Sequence, residues 1–179
     1  GKIDFLGTSD HTDIGKIYHP YEWWHNQRMH DALHSPGEFN TVYVYEREQR
    51  WPWGHRNIVF AQRDGPIVYI KRQLYLNSSW QKTLPVDPKG AAEISPYELW
   101  DLLKSYGKPV AALSHTGATG MGTDWKIYEK FDYSSENVVE IYQGARVSYE
   151  GAGAPQPTVG LRPKQGYMIN GCLLYTSPS

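Results

Sequence analysis

Five side chains of metal-ligand type stand beside short apolar runs. They are Asp10 and His11 after IDFLG, Glu46 near the end of TVYVYE, His55 at the start of HRNIVFA, and His115 after VAAL. Imidazole nitrogens and carboxylate oxygens are the atoms that bind Zn, Mn or Fe ions, and a carboxylate is able to bridge two of them. Two close ions activate water and clamp a phosphoryl group for in-line displacement. A single polar strand end is an ordinary turn, because Asp and Thr favour turns. Three strands that each deliver a His or a carboxylate to one rim point instead to a shared metal site.

The elements that would position these groups follow from apolar periodicity. IDFLG, with Ile3, Phe5 and Leu6 stopped by Gly7, reads as a short buried strand. HPYEWWHNQRMHDALHSPG reads as a helix, with Pro20 in its first turn, Glu22 at its positive end and Ser35-Pro36-Gly37 as its stop. FNTVYVYEREQ alternates with period two, so Val42, Val44, Glu46 and Glu48 share one face while Tyr43, Tyr45 and Arg47 share the other. Pro52 and Gly54 break it, and HRNIVFA resumes as a hairpin partner or close strand neighbour. Ser95-Pro96-Tyr97-Glu98 is a capping box that opens the helix PYELWDLLKSY, closed by Gly107 and Pro109. VAAL, before His115, and NVVEIYQG supply two further strands. Helices alternating with apolar strands predict an α/β fold. A full (β/α) barrel takes about 250 residues, so the expectation here is an incomplete one.

The bulk composition narrows the function classes. The chain has 179 residues, 40% hydrophobic and 21% charged, with a net charge of −1. Near-neutral charge implies no strong pull toward nucleic acid or an anionic membrane surface. No apolar run approaches the ~20 residues of a membrane span. The single cysteine, Cys172, excludes a disulfide framework and a thiolate metal site. It lies in CLLYTSPS, residues 172–179, which resembles a translated sequencing-library adapter, so this tail is expected to be non-native, extended and dispensable. The compartment is not legible.

LGTSDHTD, YVYEREQRWPWGHRN, VAALSHTG and VVEIYQG together resemble the polymerase and histidinol phosphatase (PHP) superfamily, and more narrowly a large PHP-like family known only as a domain of unknown function. The resemblance runs through most of residues 1–171. It implies a distorted (β/α) barrel binding up to three divalent transition metals, and phosphoesterase chemistry on a small anionic substrate. It assigns His11 as a ligand of one metal, with Asp10 as a ligand or its support, Glu46 as the bridging carboxylate, and His55 and His115 as imidazole ligands. The family's opening His-x-His would precede residue 1 and its closing Asp-x-His would follow Tyr167. The expectation is therefore a partial domain over residues 1–171, with weak metal binding and no useful turnover by itself.

Other readings compete. Glu48 shares the face of Glu46 and is expected to be a solvated strand-end charge. His30 and His34, four apart on a helix, are expected on a solvated face. GATGMG lacks the Gly-Lys-Ser/Thr ending of a nucleotide-binding loop. Arg47, Arg50 and Arg56 flank the proposed metal site, either to hold a substrate oxyanion or as ordinary surface charges. Seven Trp and fourteen Tyr leave a rival function, a non-catalytic carbohydrate-binding domain working through exposed rings.

Overall fold

The structure is a computed structural model. It describes residues 3–12, 20–49, 53–68, 96–115, 122–123, 132, 134–140, 142–143 and 146–147. Residues 172–179 and Arg50 lie outside them. The described elements run β1 (Phe5–Leu6), β2 (Asp10–His11), α1 (Pro20–Leu33), β3 (Asn40–Thr41), β4 (Tyr43–Arg47), β5 (His55–Phe60), α2 (Pro96–Tyr106), β6 (Val110–His115), β7 (Val138–Val139), β8 (Tyr142–Gln143) and β9 (Arg146–Val147). Strands hydrogen-bond in the order β2-β4-β5-β6-β7, with separate pairs β1-β3 and β8-β9. The class is mixed α/β. These sheets are open, and the described strands close no barrel.

The chain divides into two compact units. One comprises Gly1–Arg47 and Asn57–Ala111; the other comprises Glu48–Arg56 and Ala112–Ser179.

In the first unit the core is aromatic. Trp23 of α1 meets Tyr45 of β4 edge-on, with ring centroids 5.4 Å apart, and Phe60 of β5 lies 6.0 Å from Tyr45. The Trp23 indole N–H, which would be costly to bury unpaired, donates to the Gly65 carbonyl at 2.9 Å. Helix α2 adds Leu99, Trp100 and Leu103, all buried, at the i, i+3, i+4, i+7 spacing that starts from Pro96. It ends where Gly107 takes φ 67°, a left-handed conformation that glycine adopts without steric cost.

Helix α1 reverses the usual pattern. Its buried face is Trp23, Asn26, Gln27 and His30, while Tyr21, Trp24, Met29 and Leu33 are exposed. Most of the buried polar atoms have partners. The Asn26 amide nitrogen donates to Thr8 and Asp10, Gln27 donates to the Arg63 carbonyl, and His30 Nε2 accepts the Thr8 N–H. Asn26 Oδ1 has no partner among the described residues. Tyr43 of β4 also donates to Asp31 at 2.7 Å. Burial, that bond and the Asp31 charge together push its phenol up to about 12.

Three expectations are corrected. The apolar opening strand forms, but Phe5 is 69% and Leu6 39% exposed, because β1 pairs only with the two-residue β3 among the described residues. Glu48 is buried rather than solvated, and residues 44–47 of β4 are buried on both faces of the strand, as in parallel sheets covered on both sides. His30 is also buried. Of the helical histidine pair only His34 is exposed.

Candidate metal centre

Among the described residues, histidine and glutamate side chains group closely enough to hold a metal ion. In the first unit the parallel pairing of β2 with β4 sets Asp10 opposite Tyr45 and His11 opposite Glu46. Thr12 fixes that register, since both its backbone N–H and its hydroxyl donate to the Glu46 carbonyl at 3.0 Å. His11 Nε2 then lies 3.6 Å from Glu46 Oε2. That is too long for a hydrogen bond. It suits two donors of one ion, because ligands at about 2.0–2.1 Å in a tetrahedron stand roughly 3.3 Å apart.

Asp10 goes elsewhere. Successive strand residues face opposite ways. Its Oδ2 accepts a hydrogen bond from Asn26 Nδ2 at 2.8 Å, and it joins no metal-competent group among the described residues. Of the expected roles for Asp10, ligation with His11 is the one this placement disfavours.

In the second unit His55 and His115 come together. Both are buried, and their rings meet edge to face with centroids 5.7 Å apart and planes at 77°. Two imidazoles on one tetrahedral zinc would have centroids roughly 5 Å apart, so a small side-chain adjustment suffices. Each histidine is flanked by a polar residue fixed in the interior. Arg56, next to His55, has its Nε 2.7 Å from Glu136 Oε2, with both side chains fully buried. Ser114, next to His115, donates to the other oxygen of the same carboxylate. Gly54, at φ 74°, makes the turn into β5 against Thr123, whose hydroxyl donates to the Trp53 carbonyl at 3.1 Å. A single glutamate thus ties together the strand ends that carry both histidines.

The expected oxyanion role of Arg56 does not fit this placement, because its guanidinium is buried and committed to Glu136 and to the Trp53 and Gly54 carbonyls. Arg47 is buried as well. Glu136, Ser114 and Asn26 were not legible as parts of the site from the sequence, whereas Thr12 stands in the polar run with Asp10 and His11. Of the first three, only Ser114 carried any local signal, as the neighbour of His115. Compared with known proteins, the chain matches no family model, no curated protein and no solved structure. No helix among the described residues is long and apolar enough to cross a membrane.

Proposed function

We propose that the chain is part of a metal-dependent hydrolase of small phosphoesters, in the manner of the PHP-like proteins its motifs resemble, and that it carries part of that protein's metal site. The observation that carries this reading is the buried pair His55 and His115, whose rings lie 5.7 Å apart at the ends of β5 and β6. Two imidazoles buried side by side present nitrogen atoms of the type that binds a divalent Zn, Mn or Fe ion. His11 and Glu46 offer a second donor pair. When bound, such ions supply Lewis-acid activation of water and neutralise charge developing on a phosphoryl group. The residues around the donors orient them. Glu136 holds Arg56 and Ser114, and through the backbone it sets the direction of His55 and His115. Thr12 holds the Glu46 backbone. Outer partners of this kind typically tune metal affinity by about 10–100-fold.

The test measures Zn²⁺ and Mn²⁺ binding to the full chain, to His55→Ala and to His115→Ala, with His34→Ala as an exposed control. Each of the first two substitutions should weaken binding by about tenfold or more, while the control leaves it unchanged. Inorganic phosphate should then bind the metal-loaded chain and not the chain treated with EDTA. Metal affinity indifferent to both histidines would overturn the metal assignment. Phosphate affinity indifferent to metal would overturn the phosphoester assignment.

A further inference from the structure

The first unit holds a second candidate site that the metal chemistry does not use. A cleft of about 400 Å³ opens between the N-terminal half of α1 and the residues leading into β2. That volume falls within the ~300–1,000 Å³ of small-molecule sites. Asn26 lines it and is only 7% exposed. Its amide nitrogen is used twice, donating to Thr8 Oγ1 at 2.9 Å and to Asp10 Oδ2 at 2.8 Å. Its carbonyl oxygen, Oδ1, is buried and has no partner among the described residues. A buried acceptor left without a hydrogen bond is costly, so Oδ1 marks a place where a donor belongs.

The rest of the lining says what kind of donor. Asp10 and Glu22 contribute carboxylates, and no lysine or arginine is among the described lining residues, so a phosphate or carboxylate ligand is disfavoured. Tyr21 and Met29 line the same cleft, 62% and 51% exposed. The Tyr21 ring packs against His25 with planes at 26° and centroids 6.2 Å apart, and is tilted 31° from Trp24, so Tyr21 itself is the flat aromatic face at the cleft. A flat apolar face beside several acceptors is complementary to a pyranose ring, which stacks its C–H face and directs hydroxyl donors sideways. The strand pleat turns Asp10 to this cleft and His11 to Glu46, so the site does not depend on the metal reading.

We propose that this cleft binds a sugar ring, with Tyr21 as the stacking surface and Asn26 Oδ1 and Asp10 as acceptors for its hydroxyl groups. The full chain is titrated with methyl glucoside, methyl galactoside and methyl mannoside, by calorimetry and by saturation-transfer NMR, with and without EDTA. At least one glycoside should bind saturably and equally well in EDTA. Tyr21→Ala, at an exposed position that leaves the core intact, should weaken it about tenfold, the size of one lost stacking contact. Leu33→Ser, exposed on the same helix outside the cleft, should leave it unchanged. The proposal is overturned if no glycoside binds saturably, if Tyr21→Ala binds as well as the parent, or if butylammonium binds in preference to every glycoside. Loss of binding in EDTA alone would assign the sugar to the metal centre instead, and overturn the separate site.

Discussion

Replacing Arg56 by Met tests the framework beneath the two buried histidines. The Arg56 Nε and Glu136 Oε2 are 2.7 Å apart and both side chains are fully buried. At an effective dielectric of about 20, opposite charges at that distance attract by roughly 6 kcal/mol. Desolvation of two ions offsets most of that, so the intact pair contributes little net stability. The single variant is a different case. Met fills a similar volume but leaves the Glu136 carboxylate buried without its cation, at a cost of about 3–5 kcal/mol. For a chain of this length that corresponds to a fall in melting temperature of about 6–20 °C. Urea titration followed by circular dichroism measures it. Adding Glu136→Leu should recover most of the loss, because the stranded charge goes with it. Below the new melting point, Arg56→Met should also weaken Zn²⁺ binding by about 10–100-fold, since Arg56 adjoins His55. A loss under about 1 kcal/mol, or a double variant no better than the single one, would refute the buried-pair account.

Gly54→Ala should destabilise by at least the ~1–3 kcal/mol of a strained backbone, because φ is 74° and the added Cβ would meet Thr123 backbone nitrogen at 2.6 Å; denaturant titration reads it. Tyr45→Phe removes the phenol oxygen that accepts the Val68 N–H at 3.3 Å, and should cost about 1–3 kcal/mol by the same assay. Burial holds the His30 imidazole below its ordinary 6.5, against the raising influence of the Asn26 carbonyl and of Asp10 and Asp31. Its contribution is therefore complete above pH 6.5, and stability should decline as pH falls below that value toward the lower folded pKa, because the unfolded chain binds the proton more readily. His30→Gln should flatten that part of the stability–pH curve, which paired denaturation series on the two proteins would show.

Local signals in the sequence carried their own elements well. The Pro96 start, the Leu99–Trp100–Leu103 stripe and the Gly107 stop are all properties of one short window, and α2 runs from Pro96 to Tyr106. The strand before His115 was equally legible, and it extends through His115 itself. What failed was burial. Ile3, Phe5 and Leu6 read as a core strand because apolar runs usually are, yet burial depends on which layer covers the strand, and no window of sequence contains that layer. Helix α1 failed in the opposite sense. Asn26, Gln27 and His30 look like a solvated face, but Thr8, Asp10 and the Arg63 carbonyl supply their partners from 16 or more residues away. Glu136 is the extreme case, 80 residues from Arg56, with nothing in its own neighbourhood to announce the pairing.

Three adjacent pairs in the strands have a common physical meaning. Asp10-His11, His55-Arg56 and Ser114-His115 are each two polar groups at one strand end. The pleat sends adjacent side chains to opposite faces, so the two members of a doublet cannot serve one centre. In each, one member is a candidate metal donor and its neighbour is tied into the surrounding structure: Asp10 to Asn26, Arg56 and Ser114 to Glu136. A free-standing histidine at a strand end would sample several rotamers, and each would aim its nitrogen differently. Fixing the neighbour fixes the backbone at the histidine, and with it the direction of its Cα–Cβ bond. The polar residue next to the donor is thus accounted for by what it holds rather than by what it binds. Arg56, buried against Glu136, is by the same account a support of His55 rather than a group for holding an oxyanion.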